Sequence, residues 1–223
     1  MHNDNTNVLD CPIETVKYSS FSERLRPRTI DELLIPDESI AKFKAMIQSR
    51  NVMNMIFYGS PGTGKTTCAN LIGKSDNMEM LKLNAALFTG IDDIRKKVEN
   101  YATSISLFGD KKIVLLDESD HLSSNAQASL RGLIEESMSN CRFILTANQL
   151  RKIHEPLQSR CRPFCFDVQF SRQDTSILKL TKTIQSRLKE MNIQIDQSII
   201  HQIVVMKFPD YRAIANEIEF EVM

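Results

Sequence analysis

The sequence predicts an α/β fold: a doubly wound, five-stranded parallel sheet, followed by a small domain of three helices. Three observations carry that expectation. Short apolar runs alternate with helix-length segments as far as residue 168. One of these runs, Ile113-Val114-Leu115-Leu116, is apolar throughout, as suits a strand covered by helices on both faces. From Ser171 onward only helical periodicity remains.

Each element has its own signal. The first residues, to about 20, are polar and rich in Asn, Asp and Ser, and are expected to form a flexible arm; the chain then divides into 1–22 (arm), 23–168 (α/β domain) and 169–223 (helical domain). Pro36 or Asp37 starts a helix to Ser49, with Ile40, Phe43 and Ile47 on one face. Met53, Met55, Ile56, Phe57 and Tyr58 read as a buried strand, and Thr67 to Lys74 as a helix. A short strand follows at Met80 to Leu83. The next helix, Ile91 to Ser106, opens with Asp92 and Asp93 and carries Arg95, Lys96 and Lys97 away from its apolar Ile94 and Val98. After the apolar run ending in Asp117-Glu118 come a helix at Asn125 to Ser137 and strands at Cys141 to Thr146 and Pro163 to Phe166. In the helical domain Ile177, Leu180, Ile184 and Leu188 form one stripe, Ile199, Ile200, Ile203 and Val204 a second, and Ile214 and Ile218 a third.

Composition excludes several classes. The 223 residues carry 28 basic and 28 acidic side chains, so no global field draws in nucleic acid and any such partner must be met by a local patch. No stretch of eighteen apolar residues occurs, and Met1 to Asn7 lacks a signal-peptide core, which points to a soluble, intracellular, cytoplasmic protein with no membrane partner. Cys11, Cys68, Cys141, Cys161 and Cys165 contain no CxxC pair and read as reduced thiols. Cys161 and Cys165 have no second ligand pair at zinc spacing, so buried small hydrophobes are expected there. His2, His121, His154 and His201 do not cluster in sequence.

The chemistry is concentrated in the loop Gly59-Ser60-Pro61-Gly62-Thr63-Gly64-Lys65-Thr66-Thr67, which satisfies the phosphate-loop pattern between a strand and a helix. Gly62 and Gly64 allow the positive φ that turns several N–H groups toward one anion, and the helix start adds unpaired N–H groups. Lys65 can reach the β- and γ-phosphates of ATP, and the Thr66 hydroxyl can ligate Mg²⁺. A second acid-tipped strand complements the loop. Asp117 at its end is placed to hold Mg²⁺ through water, and Glu118 to orient and deprotonate an attacking water. Asn148, at the end of the Phe143–Ala147 strand, reads either as a sensor of the γ-phosphate or as a turn cap.

Taken in order, Arg26-Pro27, GSPGTGKTT, LLDESD, LTAN, Ser159-Arg160-Cys161 and Phe208-Pro209-Asp210-Tyr211-Arg212 resemble the AAA+ sliding-clamp loaders of the replication factor C small-subunit type. The Phe208-Pro209-Asp210-Tyr211-Arg212 spelling, together with Thr29-Ile30-Asp31-Glu32, looks most like the large ATPase subunit of T4-like phage clamp loaders. The resemblance runs from about residue 24 to the end, and Ser-Arg-Cys is its specific part. It implies an AAA+ P-loop ATPase with a helical lid, acting with other clamp-loader subunits on a sliding clamp and primer-template DNA. It further implies that Arg160 is an arginine finger serving the neighbouring subunit, that Arg212 is a second sensor serving its own nucleotide, and that Arg26 and Pro27 line the adenine and ribose.

For DNA the resemblance points to Arg95 and Lys96, with Thr89 standing where many relatives have a basic residue; a solvated helix face explains Arg95 and Lys96 equally. Arg131 resembles a helix position that couples subunits, and packing or a surface ion pair explains it nearly as well. The collar that usually follows the lid is expected to be absent. Two rival functions share the nucleotide motifs: another AAA+ DNA machine, such as a helicase loader or recombination ATPase, and a nucleotide-binding module without turnover.

Overall fold

The computed structural model describes residues 20–74, 78–88, 91–104, 112–168 and 173–223. The expected arm up to residue 19, Thr89 and Gly90, the end of the helix expected to Ser106 and the junction at 169–172 lie outside them.

Five parallel strands form the sheet: β1 (Met55–Tyr58), β2 (Met80–Asn84), β3 (Lys112–Asp117), β4 (Cys141–Ala147) and β5 (Arg162–Cys165). Their order is β2-β3-β4-β1-β5. The side-chain period of two sorts β3 into two cores. Val114 and Leu116 pack with Ile56, Phe143 and Leu145 beneath α4 (Ile91–Thr103), α5 (Ser124–Glu136) and α6 (Glu155–Gln158). Ile113 and Leu115 pack with Met55, Phe57 and Ile144 beneath α2 (Asp37–Ser49) and α3 (Lys65–Gly73). Helices on both faces explain why this strand is apolar at every internal position.

The register aligns the strand ends. Phe57 lies opposite Thr146, Tyr58 opposite Ala147, and Asn84 opposite Asp117. The loops leaving β1, β3 and β4 therefore emerge along one carboxyl edge, where open α/β sheets place ligands. β5 is an edge strand, with no further strand paired to it among the described residues, and this corrects one expectation: Cys161 is buried but Cys165 is exposed. Met53, read as part of the first strand, is 43% exposed and precedes β1.

Helices α7 (Gln173–Glu190), α8 (Gln197–Lys207) and α9 (Tyr211–Glu221) form the lid, and their stripes meet in a third core. Of the second stripe, Ile200, Ile203 and Val204 are buried, while Ile199 is 37% exposed. Phe21, Leu25 and Leu34 fill the same core. Phe21 belongs to a one-turn helix, α1 (Phe21–Arg24), capped by the Ser20 hydroxyl and packed on α9. A few residues on, Ile30, Leu33 and Ile35 enter the sheet core beside α2. Segment 21–35 thus belongs to both cores. No helix among the described residues is long and apolar enough to cross a membrane.

Candidate functional site

The phosphate loop leaves β1 at Gly59 and ends at Gly64, the residue before α3. Gly62 has φ +75°, and a Cβ there would lie 1.9 Å from Asp210 Oδ1, so both backbone and space demand glycine. The lid reaches the loop at this point: the Tyr211 N–H donates to the Gly62 carbonyl at 3.0 Å. Asp167, just beyond β5, accepts the Ser60 N–H at 2.7 Å from the other side. The Thr63 hydroxyl donates to the Ser60 carbonyl at 2.8 Å and closes the turn.

Lys65 is buried, with its ammonium on the Gly59 and Ser60 carbonyls at 2.7 and 2.8 Å. Burial draws its pKa below the ordinary lysine value, against the opposing pull of Asp167, Asp120 and Asp117, while Arg212 adds to the lowering. A site that collects three carboxylates and two cations in one place suits a ligand bearing both strong negative charge and a counter-cation.

Asp117 Oδ1 accepts the hydroxyls of Thr66 at 2.8 Å and Thr146 at 2.6 Å, and Lys82 lies 3.6 Å from its other oxygen. Thr146 Oγ1 in turn accepts the Glu118 N–H at 3.0 Å. Glu118 is held at φ +58°, ψ +40°, a left-handed conformation disfavoured for a residue with a Cβ and one that concentrates at functional sites. The paired Thr66 hydroxyl and Asp117 carboxylate are the hard oxygen donors that a hydrated Mg²⁺ takes, so the residues fit that ion. Among the described residues no group of three or more His, Cys, Asp or Glu gathers as a metal cluster.

Glu118, Asn148 and Arg212 share one cavity of about 220 Å³ with Lys65, Thr66 and Asp117. An adjoining pocket of about 90 Å³ is walled by Leu25, Arg26 and Pro27 on one side and by Gly62, Gly64, Thr67, Tyr211 and Arg212 on the other. Of the loop, Gly59, Ser60 and Thr63 line neither cavity and shape the turn, whereas Pro61 lines the larger one. The lid therefore supplies walls to both cavities.

Arg160 lies apart. It is not in either lining, is 40% exposed, and gives its Nε to Glu135 Oε1 at 2.7 Å. Arg131 meets the same oxygen at 3.3 Å, and the two guanidinium groups hold the Glu135 carboxyl below the usual range, Arg160 contributing most. Arg95 is committed to Glu99 at 2.6 Å and Glu136 at 2.7 Å, and Lys96 is exposed on α4.

Sequence reasoning passed over Thr146, Asp120, Lys82, Asp167 and Glu135. Thr146 carried a usable signal, a hydroxyl interrupting the apolar run Phe143–Ala147. Asp167 carried none, because its partner lies 107 residues away; Glu135 had Arg131 four residues before it on the same helix, but its nearer partner, Arg160, lies 25 residues away.

Residues 55–167 match the profile of the ATPase family associated with various cellular activities (AAA). The replication factor C small subunit of Staphylothermus marinus is 37% identical over 209 residues, covering 91% of this chain and 62% of the relative. That of Archaeoglobus fulgidus is 40% identical over 150 residues, covering 65% and 47%. The chain thus spans about three-fifths or less of the length of these relatives. Among solved structures, the RuvB Holliday junction branch migration motor of Thermotoga maritima superposes with a TM-score of 0.64 over 86% of this chain and 63% of its own, at 19% identity, a likeness of fold.

Proposed function

The chain belongs to the AAA family of ATPases, and from that premise we propose that it is an ATPase subunit of a sliding-clamp loader. In this reading ring-like assemblies of the chain with other loader subunits bind ATP, close on the clamp and primer-template DNA in the cytoplasm, and hydrolyse ATP to release the loaded clamp. The similarity to replication factor C small subunits over 91% of the chain supports it.

One observation carries the mechanism. Lys65, Thr66, Asp117, Glu118, Asn148 and Arg212 converge on a single cavity, whereas Arg160 stands outside it on an exposed face. A guanidinium so placed serves a γ-phosphate held by a neighbouring copy. Mg²⁺ at Thr66 and Asp117 would neutralise charge on the β- and γ-phosphates. Glu118 takes the proton of the attacking water, Asn148 offers an amide to that water and the terminal phosphate, and Lys65 and Arg212 hold the phosphate chain from loop and lid. Arg26 and Pro27 receive the nucleoside. Arg95 and Lys96 are the DNA-facing cations of this scheme, and Arg95 must exchange Glu99 and Glu136 for phosphate to serve there.

The test is ATP turnover with and without clamp and primed DNA. Glu118→Gln is expected to keep nucleotide binding and lose about 10² to 10⁴ in rate, and Arg160→Ala about 10³ to 10⁵. Mixing the two variants should restore partial turnover, because each supplies what the other lacks. A wild type that clamp and primed DNA do not stimulate refutes the loader assignment, and a mixture as inactive as its parts refutes the shared site.

A further inference from the structure

Asp120 is the acid of the Asp117-Glu118-Ser119-Asp120 run for which the mechanism has no task. It is nevertheless 9% exposed, on a 3₁₀ turn (Ser119–His121) pinned by the Ser119 hydroxyl on the Leu116 carbonyl at 2.9 Å. A carboxylate so buried needs donors. One is present: Asp120 Oδ2 accepts the backbone N–H of Asn148 at 3.2 Å. Its other oxygen, Oδ1, is buried with no partner among the described residues.

The Asn148 carboxamide, conversely, has no hydrogen-bond partner among the described residues, and it lines the cavity with Lys65, Glu118 and Asp120. Its position is set through the backbone, by β4 up to Ala147 and by the Asp120 bond immediately after the strand ends. That bond is a third tie between the ends of β3 and β4, beyond Thr146 to Asp117 and Glu118 to Thr146. Of the three, it is the one that grips Asn148 itself.

We propose that Asp120 is a positioning residue: by holding the Asn148 N–H it fixes the peptide from which the carboxamide is presented to the terminal phosphate. The inference rests on the nucleotide-site reading above. It assigns Asp120 no contact with nucleotide, so its effect must pass through Asn148. A carboxylate is the suited acceptor because it offers only acceptors and makes the stronger, charge-assisted bond.

The experiment measures binding, not turnover, on the full chain. Affinities for a non-hydrolysable ATP analogue and for ADP give a triphosphate preference for wild type, Asp120→Ala, Asp120→Asn, Asn148→Ala and the Asp120→Ala/Asn148→Ala double variant. Asn148→Ala and Asp120→Ala should each lower the preference by about tenfold, the scale of one hydrogen bond to a charged group. The double variant should be no worse than Asn148→Ala alone. Asp120→Asn, which keeps an acceptor oxygen, should recover most of the preference. Losses that multiply in the double variant, or an unchanged preference in Asp120→Ala, overturn the inference.

Should Asp120→Ala not fold, Asp120→Asn and hydrogen exchange of the Asn148 amide decide: an amide unprotected in the wild type overturns it. A wild type that discriminates the nucleotides but never hydrolyses ATP refutes the ATPase reading alone, and the double-variant comparison then still decides for or against Asp120. A wild type without triphosphate preference overturns the inference directly.

Discussion

Arg187→Met tests whether the lid is latched to the segment that walls the pocket beside the phosphate loop. Arg187 sits on α7 with its side chain 9% exposed and gives one terminal nitrogen to both carboxylate oxygens of Glu32, each at 2.8 Å. Glu32 has only the Arg28 N–H at 3.0 Å as a further donor to its carboxylate among the described residues, and Glu190, 3.5 Å from Arg187, is more strongly engaged by Arg28 at 2.9 Å. Removing the guanidinium therefore strands a largely desolvated carboxylate. Breaking a buried pair from one side costs about 3 to 5 kcal/mol, and because the Glu32 side chain keeps about one-fifth of its exposure the lower end, about 3 kcal/mol, is expected. For a chain of this length that is a fall in Tm of about 6 to 12 °C. Arg187→Met combined with Glu32→Gln leaves no stranded charge and should recover to within about 1 kcal/mol of the parent. The Glu32 carbonyl also accepts the Tyr211 hydroxyl at 3.1 Å, so the single variant should weaken nucleotide binding as well. Urea unfolding and nucleotide titration read the two effects. A single variant within about 0.5 kcal/mol of the parent, or a double variant no better than the single, refutes the latch.

Gly62→Ala combines a left-handed φ with overlap on the Asp210 oxygen that caps α9 through the Arg212 and Ala213 N–H groups. Strain of about 1 to 2 kcal/mol and a lost cap of about 1 kcal/mol predict a loss of about 2 to 3 kcal/mol of stability, a fall in Tm of about 4 to 12 °C by calorimetry, and an unchanged Tm would contradict it. Burial pushes the Cys161 thiol up to about 12 and raises Cys68 as well, so alkylation at pH 8 mapped by mass spectrometry should mark exposed Cys165 and spare both until the protein unfolds. Glu135 has a depressed carboxyl pKa, so its ion pairs are fully present above the ordinary Glu value and are lost only as pH falls through the lower, folded value. Arg160→Ala should move that titration back up in carbon-detected NMR; an unmoved midpoint would show that Arg160 is not its chief partner.

The sheet was legible because its strands are dictated by periodicity. Ile113 to Leu116 could only be a strand covered on both faces, and its neighbours alternate with helices, two of which open at Pro36 and Gly64. Glycines at 59, 62 and 64 are likewise readable, since their positive φ is a local demand. The rest of the site depends on encounters that no local pattern encodes. Thr146 and Asp120 matter because register brings the ends of β3 and β4 together, and Asp167 because β5 returns beside β1. Arg95 read in sequence as a DNA-facing or solvated cation; Glu99, four residues on, is a local partner, whereas Glu136 comes to it only because α4 packs on α5, across 41 residues. Phe21 was hidden for another reason: an aromatic next to a polar tract gives no period until a helix from the far end of the chain covers it.

The sharing of segment 21–35 has a practical corollary for anyone cutting this protein apart. A fragment starting at Gln173 would leave Ile177, Leu180 and Ile218 facing water where Phe21, Leu25 and Leu34 belong, and one ending at Val168 would strip the shelter from those three side chains. Neither half is a freestanding building block. A chimaera that imports the helical module from a relative has to import the relative's counterpart of Phe21–Arg24 along with it.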